Sequence, residues 1–103
     1  MINKLVRDRI PEIIKDKWEE CEYFIAKQKE YIKFLLKKVV EESEEVYNSL
    51  NDEELKLEIA DLFEVIETLL KEKNINIDEI KKLQEEKRKI KWWFDKKIVL
   101  TKY

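Results

Sequence analysis

Glycine and histidine are both absent from this chain of 103 residues. Without glycine there is no phosphate-cradling loop of the P-loop or dinucleotide-fingerprint kind. A phosphate would have to be met by Lys and Arg side chains, helix N-termini or a metal ion. Without histidine there is no imidazole base for serine or cysteine chemistry, no usual His-bearing zinc site and no Glu-x-x-His di-iron pattern. Cys21 is the single cysteine. That excludes an internal disulfide and suits a reducing, cytoplasmic setting, with the thiol expected as a small half-buried group rather than a nucleophile. No apolar run approaches the length of a membrane span, and the start of the chain lacks the apolar core of a secretory signal. Charge of one sign is lacking too: 22 basic and 24 acidic residues leave a net −2, without the general basic excess that nucleic-acid binding uses.

What remains is one domain's length of heavily charged, helix-favouring sequence, 45% Asp, Glu, Lys and Arg. The pattern predicts a mainly all-α fold of four helices. The first runs from about Arg9 to Lys17, with Asp8 as its cap and Pro11, the only proline, in its first turn. The second spans about Gln28 to Ser49, with Tyr31, Leu35, Val39, Val46 and Leu50 inward. Asn51 and Glu54 form a capping-box pair for a third helix, about Asp52 to Lys73, and Asn74 can take the left-handed stop that glycine would supply. Asn76 and Glu79 repeat the box for a fourth helix ending near Lys89. Tyr23-Phe24-Ile25 and Ile98-Val99-Leu100 read as short strands that could pair in a small ribbon. The third helix is apolar over more than half its circumference, so completion of the bundle by a homodimer or higher homo-oligomer is expected.

Glu41-Glu42-Ser43-Glu44-Glu45 and, after twelve further residues, Glu58-Ile59-Ala60-Asp61 each place carboxylates three residues apart on one helix face. At about 100° per residue, Glu42 falls inside the apolar stripe of Leu35, Val39 and Val46, with Glu45 at its edge beside Phe34. Glu58 falls within the stripe of Val65, Leu69 and Leu62, and Asp61 at its margin. Glu44 points away to solvent. Carboxylates on the facing sides of two helices are costly unless paired or metal-bound. Two outcomes follow: a salt-bridged helical bundle, with Lys38 on the face of Glu42 and Glu45, or a site for a hard cation such as Mg²⁺.

The E-E-x-x-E and E-x-x-D pair resembles the MazG-type all-α nucleoside triphosphate pyrophosphohydrolase superfamily. The opening Asn3-Lys4-Leu5-Val6-Arg7-Asp8-Arg9-Ile10-Pro11-Glu12-Ile13-Ile14 and the ending Phe94-Asp95-Lys96-Lys97-Ile98-Val99-Leu100 resemble one branch of it. That branch holds small house-cleaning pyrophosphatases related to phosphoribosyl-ATP pyrophosphohydrolase. The resemblance covers nearly the whole chain, residues 1–103, as one domain. It implies hydrolysis of a nucleoside triphosphate to monophosphate and pyrophosphate, with Glu42, Glu45, Glu58 and Asp61 binding Mg²⁺ (or Mn²⁺) and Glu41 as general base. Alternatives are phosphoribosyl-ATP hydrolysis and a non-catalytic helical nucleotide-sensing or interaction protein.

Basic residues cluster at both ends. Arg7 is the first candidate for a triphosphate contact, followed by Lys87 and Arg88, then Lys4, Arg9 and Lys91. The branch tends to carry Gly-Gly before its C-terminal Phe, where this chain has Trp92-Trp93. Two indoles cannot copy a glycine turn, so that loop is expected to differ. The indoles pack against the bundle or a partner, or offer a stacking surface.

Overall fold

The computed structural model describes residues 3–103. Four helices make up its regular structure: α1 (Ile10–Asp16), α2 (Gln28–Tyr47), α3 (Asp52–Glu72) and α4 (Ile77–Lys91). The all-α expectation holds, and the helices begin and end close to where their local signals put them.

Helix starts are set by short polar side chains and carboxylates. At α3, the Asn51 side-chain oxygen accepts from the Glu54 backbone N–H at 2.9 Å. Glu54 reciprocates to the backbone N–H of Leu50, at 2.7 Å, rather than to that of the cap itself. At α4, Asn76 accepts from Asp78 N–H at 2.9 Å. The expected box with Glu79 does not form, because the Glu79 N–H already bonds to the Asn76 carbonyl. The expected Asp8 cap of α1 is also absent: Arg9 is the N-cap, without a side-chain bond. The Ile10 N–H is satisfied by the Arg7 carbonyl at 3.1 Å, and Pro11 has no N–H to offer. Two of the donors a cap would serve are thereby removed.

Without glycine, other residues take the left-handed backbone at three helix ends and in the turn of residues 94–97. Trp18, Asn74, Trp92 and Lys97 all have positive φ, between 55° and 67°. Asn74 is the stop expected for α3, with the Ile75 N–H reaching back to the Leu70 carbonyl at 2.9 Å. Trp18 does the same for α1 through the Glu19 N–H to the Ile14 carbonyl. Trp92, at φ 67° and ψ −151°, occupies backbone territory that is nearly glycine's alone. Trp92 thus takes a positive-φ conformation despite its bulk, whereas Trp93 does not. Both indoles are exposed, with Lys96 over Trp92 at 4.7 Å and Arg88 over Trp93 at 5.7 Å.

Residues 48–51 turn α2 back into α3, so the two helices run antiparallel. Gln28 at the start of α2 donates to Glu72 at the end of α3 at 3.4 Å. This is the one helix pair with extensive packing among the described residues. Its dry centre is small, built on Leu35 and Val65. Helix α4 packs extensively against no other helix.

The expected ribbon is not formed. Residues 20–27 and 98–103 contain no strand, and Tyr23, Phe24, Ile25, Ile98, Val99 and Leu100 are exposed. A lone two-stranded ribbon is marginal without a surface to pack on, and neither segment is provided with one. Phe24 instead sets its ring edge-on to Phe34, with centroids 6.2 Å apart. Cys21 is exposed rather than half-buried.

Candidate metal site

Helix phase delivers the acidic residues to the α2–α3 seam. Leu35 and Glu42 are seven residues apart on one stripe of α2, and both are buried. On α3, Glu58 and Asp61 are three apart and half-buried. Carboxylate oxygens of Glu42, Glu58 and Asp61 all lie within 4.8 Å of one another. Glu45 stays outside this group and is exposed, and Glu44 is exposed as expected.

Basic side chains approach the same seam. Lys38 Nζ lies 3.4 Å from Glu42 Oε1 and 3.1 Å from Glu41 Oε1. It thus reaches Glu42, as its face predicts, and takes Glu41 in addition. From the N-terminal arm, Lys4 Nζ reaches Glu41 Oε1 at 2.9 Å and Arg7 Nη2 reaches Asp61 Oδ1 at 2.8 Å. No sequence signal exposes either arm contact, because the partners are far apart in the chain and obey no helical spacing. Arg9 turns instead to Glu12 at 3.3 Å. Lys87 and Arg88 lie on α4 and have no ion pair or hydrogen bond to the acidic seam among the described residues.

The charges are unevenly compensated. Glu58 has no ion pair among the described residues. Loss of solvent and then the neighbouring carboxylates of Glu45, Asp61, Glu42 and Glu54 raise its carboxyl above the usual range. Glu41 is the opposite case. Burial pushes its carboxyl up, but hydrogen bonds from Lys4 and Lys38, together with the attraction of their charges, outweigh that and hold it low. The hydrogen bond to Glu41, followed by attraction to it, raises Lys4.

The donor set suits a hard divalent cation. Its ligands are all carboxylate oxygens, from two rigid helices, in a place where one carboxylate lacks a counter-charge. Mg²⁺ binds oxygen at about 2.1 Å, so opposite ligands of one ion stand about 4.2 Å apart. Oxygens within 4.8 Å of one another are near that spacing, and rotation of the side chains would close the rest. A groove of about 1360 Å³ adjoins the arm, lined in part by Lys4, Arg7, Tyr23, Phe24, Tyr31 and Phe34. Lys4 and Arg7 therefore line this open groove as well as pairing with the seam.

No family model matches this chain, and no curated protein or solved structure matches it significantly.

Proposed function

We propose that this protein is a Mg²⁺-dependent nucleoside triphosphate pyrophosphohydrolase of the MazG-like kind, working in the cytoplasm as a homo-oligomer. The observation that carries the reading is the convergence of Glu42, Glu58 and Asp61 within 4.8 Å, beside Lys4 and Arg7 of the arm. The likeness of the two acidic motifs and both chain ends to that superfamily supplies the reaction. A nucleoside monophosphate and pyrophosphate are the products.

A bound Mg²⁺ neutralises phosphate oxygens and lowers the pKa of water at the site. Glu42, Glu58 and Asp61 would hold it, with Glu45 close enough to join from the rim. Lys4 and Arg7 then serve the substrate. Each is paired with a carboxylate, and each can exchange that partner for a phosphate oxygen. Release of Lys4 matters doubly, because it removes one of the two hydrogen bonds that make Glu41 a poor proton acceptor. Glu41 can then take the proton of the attacking water.

A second reading draws on a specific observation. The pairs Lys38–Glu42 and Arg7–Asp61 are what a purely structural ion network would also use, in a non-catalytic helical interaction protein. One assay separates the two: pyrophosphate release from a panel of NTPs, dNTPs and modified nucleotides with Mg²⁺ or Mn²⁺. Glu42→Gln and Asp61→Asn are expected to lower release at least about 100-fold, the loss typical of a disturbed catalytic group. Folded protein that releases none from any nucleotide would overturn the enzymatic reading.

A further inference from the structure

One row of side chains on α2 joins the acidic seam to an aromatic groove. At about 100° per residue, Phe34, Lys38, Glu41 and Glu45 fall within about 60° of arc. Glu41 lies seven residues, or about 10 Å, beyond Phe34 along the helix axis. The groove beside the arm starts where this row turns aromatic. Tyr31 and Phe34 line it from α2, and Tyr23 and Phe24 line it from the segment before that helix. These rings are not closed into a core: Tyr23 is 68% and Phe24 58% exposed. Phe24 meets Phe34 edge-on, which leaves ring face open to a flat partner.

Charge sets the direction in which a nucleotide can lie across this row. Lys4 and Arg7 line the groove and reach Glu41 and Asp61, so its paired cations stand at the seam. Asp8, Glu19, Glu20 and Glu22 also line it, and none of them has an ion pair among the described residues. Burial, then Glu72 and Asp8, raise the Tyr31 hydroxyl above its usual range, which puts Asp8 near that ring. Ionised carboxylates repel a triphosphate and accept only from N–H and O–H donors. Phosphates therefore belong at the seam, and the groove is left for the far end of the nucleotide. Adenine, cytosine and guanine each present an amino group to such acceptors, whereas uracil and thymine present carbonyl oxygens beside a single ring N–H.

We infer that this groove binds the base of the substrate against Tyr23 and Phe24, and takes amino-bearing bases in preference to uracil and thymine. The inference rests on the hydrolytic reading above and names the substrate class of that site. Stacking needs only a flat π face, which every base has. The choice among bases falls to the carboxylates.

The test is equilibrium binding, with Mg²⁺, of α,β-methylene analogues of ATP, GTP, CTP and UTP, which the proposed cleavage cannot break. Inorganic triphosphate is the probe without a base. The ATP, GTP and CTP analogues are expected to bind at least about tenfold more tightly than triphosphate, the effect of one stacked base. They should also bind about fivefold more tightly than the UTP analogue, the effect of one net hydrogen bond. Tyr23→Ala with Phe24→Ala, in a segment without helix or strand, should bring the analogues down toward triphosphate. Cys21 lines the same groove and is exposed, so its alkylation by N-ethylmaleimide reports where the base sits. The analogues should slow that reaction and triphosphate should not. Analogues that bind no better than triphosphate, or that leave Cys21 reacting at its free rate, would overturn the inference and leave the hydrolytic reading standing. A UTP analogue that binds as well as the CTP analogue refutes the preference. Folded chain that binds neither triphosphate nor any analogue sinks the hydrolytic reading and the inference with it.

Discussion

The α2–α3 hairpin and α4 with its tail are written in the same alphabet, yet only the hairpin is folded into a core. Both regions have amphipathic helices, capping asparagines and dense charge. In the hairpin, Leu35 and Val65 are shut away from water by the facing helix. In α4, no residue is buried, and beyond it Phe94 and Ile98 to Leu100 stand in solvent. The difference teaches that an apolar stripe gives a helix its direction but not its partner. Residues 48–51 are a tight turn between two long helices, and antiparallel neighbours are the result. Residues 73–76 are as short, but α4 that follows them is not folded back along α3.

The hardest break is at the centre of the hairpin. Leu35→Ala should destabilise by about 2–5 kcal/mol, the cost of a core truncation, whereas Leu83→Ala on α4 should cost no more than about 0.5 kcal/mol, as exposed positions do. Urea midpoints of the two variants measure the contrast. Equal losses would mean that α4 is packed as tightly as the hairpin in solution.

A smaller effect belongs to the end of α4. Trp92→Gly should relieve a backbone strain of about 1–3 kcal/mol, felt as slower amide exchange over the last turn of α4 and little change in the hairpin. Faster exchange there would show that the Trp92 side chain, with Lys96 above it, holds the turn more than its φ strains it.

The smallest effect concerns charge within the hairpin. Glu58 is raised above the ordinary carboxylate range, so the folded chain binds its proton more readily than the unfolded chain does. Its contribution to stability is full below the ordinary carboxylate pKa and is lost as pH rises through the folded value. Glu58→Gln should therefore gain stability relative to wild type as pH rises from 4 to 7 in chelator-treated protein. Mg²⁺ should stabilise the wild type at pH 7 more than it stabilises the variant. Parallel pH curves for the two proteins would show that Glu58 feels no crowding.

Much of the local structure was legible in the residues. Asn51 and Asn76 mark two helix starts, Asn74 marks a stop, and the phase of Glu42 against Leu35 foretold its burial. Local signals failed where a nearer partner intervened: Asp8 lost its role to the Arg7–Ile10 turn and Pro11, and Glu79 to the Asn76 carbonyl. The ribbon failed for another reason. Tyr23 to Ile25 and Ile98 to Leu100 have strand-forming residues, but a strand needs a neighbour at a set distance, which composition does not supply. Trp92 shows a limit of reasoning from propensity, since a positive φ is taken by a residue that disfavours it.

The candidate site divides in the same way. The sequence by itself determined that Glu42, Glu58 and Asp61 lie on the facing sides of two helices, because helical period and capping depend only on near neighbours in the chain. It also determined what this chain lacks, namely glycine loops, imidazole chemistry and an internal disulfide. Tertiary structure alone decided which carboxylates meet. It left Glu45 at the rim, brought Arg7 to Asp61 across 54 residues, set Lys4 against Glu41, and kept Lys87 and Arg88 away on α4. Those outcomes depend on the path of the chain through its turns and on which charges find a partner in space, and no periodicity in the sequence encodes either.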